Sequence, residues 1–175
     1  MASIKVIKQR IRSVKNTSQI TKAMEVVSAT KMRKSQEWTL RARPYAVASL
    51  EMLKNLLSRT PVIPPFLETR PVKNSALLIV TSDKGLAGAF NSNVIKKAEV
   101  WVKDKKTRGA PYTIITVGKK ARDYWERRKE LIYENFIGFG DYTALEDTLP
   151  VAKILMDGFL SGAWDEADAV YMNFR

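Results

Sequence analysis

The residues best placed to do chemistry are those at positions 81–93, TSDKGLAGAFNSN. They follow an apolar run and precede a predicted helix, an arrangement that holds a phosphate group in many α/β proteins. The glycines are Gly85 and Gly88 only, whereas the dinucleotide fingerprint has three and the phosphate loop has Gly-Lys-Ser or Gly-Lys-Thr at the helix start. No acidic residue ends the second predicted strand to bind a ribose, because the sequence there is VGKK. We therefore expect no nucleotide site, and a structural turn at Gly85 and Gly88.

The composition excludes several classes of active site. The sequence has no cysteine and no histidine, which rules out disulfides, thiolate metal sites, cysteine nucleophiles and Ser-His-Asp triads, and argues against a zinc hydrolase. Asp83 and Lys84 remain the candidates for catalysis in a small α/β enzyme, an alternative hypothesis that an Asp83→Asn variant would test. Because no second acid lies near them in the sequence, we expect no catalytic residue, cofactor or metal.

Strands and helices alternate in residues 75–175. The apolar runs predict strands at 75–81, 112–118, 131–136 and 168–174, and the intervening periodicity predicts helices at 91–106, 119–130 and from 143 or 145 to 162. Asn91 or Ser92 is expected to cap the first of these helices or to lie in its first turn. The alternation predicts a mostly parallel sheet that is covered on both faces. The preceding segment, 61–74, has four prolines and is predicted to be a linker.

The first sixty residues differ from the rest of the chain in their charge and in their predicted structure. They carry 13 lysines and arginines against three acids, a balance of +10, whereas the remainder has 17 against 15, a balance of +2. Residues 4–58 contain no glycine and predict one long helix, with Pro44 expected to kink or locally open it near Arg41 and Ala42. Its apolar seam consists of Ile4, Ile7, Ile11 and Val14, then Ile20, Met24 and Val27, then Val47, Leu50, Leu53 and Leu57.

Such a seam needs a partner helix. A second copy, another protein or a later part of the same protein could supply it. We favour the last, because the sequence ends on a predicted strand with nothing after it to cover that strand. The shortage of acids among the basic residues indicates an acidic partner, which is either nucleic acid or an acidic protein cavity. A nucleic-acid-binding protein with a basic helical arm is therefore the main alternative function, and its binding to duplex DNA would show a steep salt dependence.

Two stretches resemble signature segments of the gamma subunit of F-type ATP synthases, namely QITKAMEVVSATKMRKSQ at 19–36 and TSDKGLAGAFNSNV at 81–94. The opening residues 2–24 and the terminal VYMNFR are also similar to that family. The resemblance implies a long basic coiled-coil helix at 1–60 that acts as a rotor shaft, a linker at 61–74 and a Rossmann-like α/β domain at 75–175. It also implies that the shaft helix pairs with a C-terminal helix, a part of the family's sequence that this chain lacks.

The resemblance implies a non-catalytic subunit that couples proton translocation to ATP synthesis or hydrolysis. Its implied partners are the alpha and beta subunits, the epsilon subunit and the ring of c subunits, with no nucleic acid and no cofactor. The expected location is peripheral, on the cytoplasmic side of a bacterial membrane. The contacts expected with the alpha and beta subunits are Lys22, Met24, Lys31, Arg33 and Lys34, although Met24 could instead pack in the seam.

Overall fold

The computed structural model describes residues 3–59, 63–140 and 143–173. It divides the chain into two compact units, Met1–Arg59 and Thr60–Arg175. The first is a single helix, and the second is an α/β domain.

The first unit is helix α1, Ile4–Arg59, of 56 residues. At a rise of about 1.5 Å per residue, it is roughly 84 Å long. None of its residues is buried, so the predicted helix and its exposed apolar seam are both present. The local opening predicted at Pro44 is not seen, since the residues on both sides of Pro44 remain helical. A proline removes one backbone hydrogen bond, and at an exposed position water can satisfy the freed carbonyl group.

The second unit contains four strands and three longer helices in its described residues. In chain order these elements are β1 Ser75–Val80, α2 Phe90–Thr107, β2 Tyr112–Val117, α3 Lys119–Arg127, β3 Ile132–Phe136, α4 Leu145–Leu160 and β4 Glu166–Val170. The strands form one parallel sheet in the order β3-β2-β1-β4. This is the α/β fold with a mostly parallel sheet that the alternating pattern predicts.

The two faces of the sheet have separate cores. Helices α2 and α3 pack on one face, where the buried residues are Leu77, Ile79, Val94, Ala98, Val102, Ile114, Ala121 and Trp125. Helix α4 lies on the other face, where Ala76, Ile115 and Trp164 are buried. Trp125 and Trp164, 2% and 1% exposed, are the largest side chains in these cores. Only Gly158 of α4 is buried, whereas four residues of α2 are buried, so α4 packs less closely against the sheet than α2 does.

Some boundaries differ from the prediction. Strand β4 covers Glu166–Val170 rather than 168–174, and residues 174 and 175 lie outside the described residues. It begins early because the backbone N–H of Asp165 already donates to the carbonyl group of Asn74, which starts the pairing with β1. Asn91 and Ser92 lie in the first turn of α2, one of the two positions predicted for them, and the N-cap position is Ala89 without a side-chain hydrogen bond.

Part of the predicted linker is attached to the α/β domain. A short 3-10 helix covers Pro65–Leu67, and the ring of Phe66 stacks on Phe159 with 6.1 Å between centroids. Further along, Arg70 forms an ion pair with Asp165 at 3.1 Å. The compact domain thus includes residues that precede its first strand.

Candidate functional site

The segment 81–83 closes the start of helix α3. The backbone N–H of Lys119 donates to Oδ1 of Asp83 at 2.8 Å, and that of Lys120 donates to the carbonyl oxygen of Ser82 at 3.2 Å. The next N–H, of Ala121, donates to Oγ1 of Thr81 at 2.9 Å. The first N–H groups of a helix are where an anion would bind. Here three of them are already satisfied by the protein's own residues.

Asp83 also reaches the loop that follows β3. Its Oδ2 accepts the backbone N–H of Gly138 at 2.8 Å, so its two carboxylate oxygens hold two different loops. Behind it, Oδ1 of Asn91 accepts the backbone N–H of Ser82 at 3.0 Å, which ties the segment to the first turn of α2. We call Thr81, Ser82, Asp83 and Asn91 the loop clamp. It joins the loops that follow β1, β2 and β3.

The glycines near this segment have different surroundings. Gly88 has a φ of 52°, a conformation that suits glycine in a turn. A Cβ on Gly88 would have no atom within 4 Å, and one on Gly85 would meet only the end of the Lys120 side chain at 3.9 Å. The close backbone approach occurs instead at Gly118, a residue that the sequence pattern does not single out. Its only sequence signal is its place directly after an apolar strand.

A cavity of about 970 Å³ opens beside the loop clamp, between the sheet and the first half of α4. Its apolar wall includes Leu78, Val80, Val117, Val151 and Leu155. Its size is in the range of ligand pockets, and its position near the carboxyl ends of parallel strands is where such proteins bind ligands.

The polar groups around this cavity are mostly engaged within the protein. Both carboxylate oxygens of Asp83 accept backbone N–H groups, and the hydroxyl of Ser82 donates to the carbonyl group of Lys84 at 2.6 Å. The hydroxyl of Thr148 donates to the carbonyl group of Leu145 at 2.8 Å. Among the described residues, no group of three or more acidic side chains is placed to hold a metal ion. The arrangement positions loops and offers an apolar surface.

The five residues predicted to contact other subunits all lie exposed on α1, but not on one side of it. At about 100° per residue, Met24 and Lys31 lie on one side of the helix, and Lys22 and Arg33 lie about half a turn away. Lys34 lies between the two sides. Nε of Arg33 is 3.4 Å from Oε1 of Glu37, one turn further along the helix. These residues can therefore contact neighbours on opposite sides of the helix.

Met24 belongs to an apolar stripe in the middle of α1. It shares that side with Ile20, Val27 and Trp38, and these side chains are between 49% and 62% exposed. In a straight helix this stripe lies about half a turn from Ile4 and Ile11 in the first part of the seam. One straight partner helix therefore cannot cover both.

No helix in the described part of the chain is long and apolar enough to cross a membrane.

Comparison with known proteins gives the family. The family model described as ATP synthase matches residues 3–175. The chain is 41% identical over 177 aligned residues to the ATP synthase gamma chain of Roseiflexus castenholzii (strain DSM 13941 / HLO8), covering 99% of this chain and 61% of that relative. It is 38% identical to the ATP synthase gamma chain of Crocosphaera subtropica (strain ATCC 51142 / BH68), covering 99% and 56%. The chain thus spans about three fifths of the length of these relatives.

Solved structures with the same fold come from rotors of ATP synthases. The central stalk and c-ring structure of the Tetrahymena thermophila mitochondrial enzyme matches with a TM-score of 0.65 and 24% identity, over 89% of this chain and 66% of that chain. The rotor of the Euglena gracilis mitochondrial enzyme matches with a TM-score of 0.57 and 17% identity, over 95% and 55%. At these identities the structures support the fold, and the family follows from the sequence matches: the chain belongs to the ATP synthase gamma chain family.

Proposed function

We propose that this chain forms part of the central-stalk rotor of an F-type ATP synthase, where it couples proton translocation to ATP synthesis or hydrolysis without catalysing a reaction itself. Helix α1 is the shaft that turns inside the hexamer of alpha and beta subunits. The α/β domain is the foot, which contacts the epsilon subunit and the ring of c subunits. The proposed location is peripheral, on the cytoplasmic side of a bacterial membrane.

The observation that carries this proposal is α1 itself, in a chain matched to the gamma family over residues 3–175. A helix of 56 residues with no buried residue is stable in water only when other helices or subunits cover its apolar side chains. Its apolar stripes point in different directions, which suits a shaft that has different neighbours along its length and around its circumference.

The charge of the first sixty residues fits a rotating contact. With a net charge of +10, these residues attract an acidic protein surface that surrounds the helix. The attraction extends over about one Debye length and does not require the charged groups to meet in one fixed geometry. Each exposed pair contributes only about 0.2–1 kcal/mol, so no single pair holds the shaft at one angle. Lys22, Met24, Lys31, Arg33 and Lys34 are proposed as contacts on this surface, Met24 and Lys31 on one side and Lys22 and Arg33 on the other.

The foot must transmit torque, which requires that its loops do not move independently. The loop clamp supports this role because Asp83 joins the loop after β2 to the loop after β3, and Asn91 joins the same segment to α2. The first N–H groups of α3, which could otherwise bind a phosphate, already donate to residues of the 81–83 segment. This supports a mechanical role for the 81–93 segment over nucleotide binding.

The test uses the assembled enzyme, with the full gamma chain in membrane vesicles. The double variants Met24→Ser/Lys31→Gln and Lys22→Gln/Arg33→Gln alter opposite sides of α1, and Lys54→Gln is a control on the same helix. We expect each double variant to assemble and to lower the number of protons pumped per ATP hydrolysed, with Lys54→Gln unchanged. Unchanged coupling in both double variants would contradict the proposed contacts. One nucleotide bound per isolated chain at micromolar concentration, measured by calorimetry, would contradict the non-catalytic role.

A further inference from the structure

Arg70 binds the end of helix α4 from outside that helix. Its Nη2 group donates to the carbonyl oxygen of Phe159 at 2.6 Å and to that of Trp164 at 2.8 Å. The last carbonyl groups of a helix have no partner within it and favour a nearby cation. Helix α4 has no basic residue in its own last turn. Arg70, which lies 89 positions before Phe159 in the chain, supplies that cation.

The ring of Phe159 contacts the same segment twice. The guanidinium carbon of Arg70 lies 4.1 Å from the centre of this ring, in a cation–π contact. The ring of Phe66 stacks on it with 6.1 Å between centroids. Because Gly158 is the only residue of α4 that is buried in the domain, the position of α4 depends strongly on contacts of this kind.

Asp165, which directly precedes β4, holds the same segment closer to β1. Its Oδ1 is 3.1 Å from Nε of Arg70, and its Oδ2 accepts the backbone N–H groups of Lys73 at 2.8 Å and Asn74 at 3.0 Å. The side-chain amide of Asn74 donates to a carbonyl group in the turn after α4 at 2.5 Å. We call residues 65–74 the strap. It is fixed to the end of α4, to the turn after α4 and to the residue before β4.

The strap decides where a mechanical load enters the α/β domain. In the sequence, residues 60–64 connect helix α1 to the strap. A strap without anchors could extend to roughly 35 Å before the load reached Ser75, the first residue of β1. With the anchors in place, the load reaches the end of α4 and the start of β4 first, and there is no slack to take up.

We propose that Arg70 is a positioning residue of the rotor, which binds the end of α4 from the linker so that the strap transmits torque between helix α1 and the α/β domain without slack. This inference rests on the proposed function, because it describes how one part of the rotor drives the other. The planar guanidinium group suits this role. It donates to two carbonyl groups, pairs with a carboxylate and stacks on an aromatic ring at the same time, which the ammonium group of a lysine does not do.

The first experiment measures the torsional stiffness of the assembled rotor. The full gamma chain is assembled with alpha and beta subunits, the hexamer is fixed to a surface, and a bead is attached through Leu131→Cys, a position that is 89% exposed on the α/β domain. With ATP withdrawn, the angular variance of the bead rises as the rotor becomes more compliant. We expect Arg70→Gln to raise this variance about 1.5-fold or more, because the unanchored strap behaves as a flexible linker. Arg70→Lys keeps a cation beside Asp165 and should give a smaller increase.

Arg122→Gln is the matched control for the loss of a partly buried arginine. The side chains of Arg70 and Arg122 are 29% and 22% exposed, and each forms an ion pair. The ion-pair partners of Arg122 are Asp123 and Glu126 on the same helix, so its loss does not release a loop or a linker. We expect Arg122→Gln to leave the angular variance unchanged, even where urea unfolding shows a similar loss of stability.

The second experiment locates the change by hydrogen exchange in the same assembled enzyme. In Arg70→Gln, the backbone amides of Lys73 and Asn74 should exchange at least about tenfold faster, because Asp165 is no longer held in place to accept them. Amides at the end of α4 should also exchange faster, whereas those of α2 should not change.

The proposal is overturned if neither Arg70 variant changes the angular variance, if Arg122→Gln raises it equally, or if exchange rises throughout the domain and not at the strap and the end of α4. The rotor function is read separately, from ATP-driven rotation of the bead on the unaltered chain. Rotation with an unchanged variance in both Arg70 variants would leave the rotor function standing and remove only the role of the strap. A bead that does not rotate on the unaltered chain would overturn the rotor function itself.

Discussion

The carbonyl oxygen of Thr81 lies 2.2 Å from the position that a Cβ on Gly118 would occupy. This approach is possible because Gly118 has no side chain and has a φ of 92°, a conformation that other residues rarely adopt. It brings the end of β1 against the start of α3, where the hydroxyl of Thr81 accepts the N–H of Ala121. The loop clamp therefore depends on a glycine outside the segment that contains it.

Replacing Gly118 with alanine should strongly destabilise the α/β domain. The Cβ would meet backbone atoms of Thr81, which cannot move aside, and the φ would be strained, so we expect a loss of about 3 kcal/mol or more in the free energy of unfolding. Gly138→Ala is the matched control, because its φ of 84° is also positive but a Cβ there would have no atom within 4 Å. We expect it to cost about 1 to 2 kcal/mol. Urea unfolding followed by tryptophan fluorescence measures both, and equal losses would refute the steric explanation.

Removing the carboxylate of Asp83 should loosen two loops at once. Asp83→Ala takes the acceptor from the N–H groups of Lys119 and Gly138, and we expect a loss of about 2 kcal/mol, the usual range for hydrogen bonds to a charged group. The specific readout is hydrogen exchange, in which the amides of Lys119 and Gly138 should both exchange faster. Asp83→Asn keeps one acceptor oxygen and should restore protection at one of the two sites. Lys84→Ala is the neighbouring control, and acceleration there of the same two amides would argue against the bridging role.

The sequence predicts most of this fold because its periodic patterns are strong. The apolar run before Thr81 and the lack of glycine in 4–58 directly predict β1 and α1, which the structure confirms. The start of β4 could not be predicted, because it is set by the contact between Asp165 and Asn74, residues 91 positions apart. Tertiary contacts of this kind decide where a strand begins and leave no local signal.

The site was less predictable than the fold. The absence of the nucleotide-binding fingerprints can be recognised from the sequence alone. The hydrogen bonds that Asp83 accepts from Lys119 and Gly138 connect three loops, and only the folded sheet brings those loops together. The apolar residues of α4 have helical periodicity, yet a pattern alone does not tell which apolar side of a helix the sheet will cover. In α4 the sheet takes the side of Gly158 and leaves Leu149 exposed.

The backbone hydrogen bonds and the ion pair made by the carboxylate of Asp165 should make stability depend on acid pH. Two backbone N–H groups, of Asn74 and Lys73, donate to Asp165 and, together with Arg70, lower the pKa of its carboxyl group below the usual 3.8. A folded-state pKa below the unfolded value stabilises the protein above the unfolded pKa, and this stability is lost as the pH falls through the folded pKa. The Asp165→Asn variant should therefore be less stable at pH 7, and its difference from the unaltered chain should shrink only below about pH 4.

Urea unfolding at pH 7, 5, 4 and 3 measures this difference. Asp104→Asn is the control, because its pair with Arg108 is exposed and contributes little at any of these pH values. A difference between Asp165→Asn and the unaltered chain that stayed constant down to pH 3 would show that the hydrogen bonds, and not the charge of Asp165, account for its role.

The packing of α4 on the sheet should depend on Gly158 and Trp164 as a pair. A Cβ on Gly158 would lie 1.9 Å from the ring of Trp164, which is 1% exposed and cannot swing away. We expect Gly158→Ala to destabilise the domain by about 2 to 3 kcal/mol, since overpacking a buried contact costs this much.

Trp164→Leu alone leaves a cavity and should also destabilise the domain, but in the double variant the smaller side chain makes room for the new methyl group. The two losses should then sum to more than the loss in the double variant, by at least about 1 kcal/mol, because residues in direct contact are not independent. Additive losses in urea unfolding would mean that α4 shifts as a whole to relieve the clash.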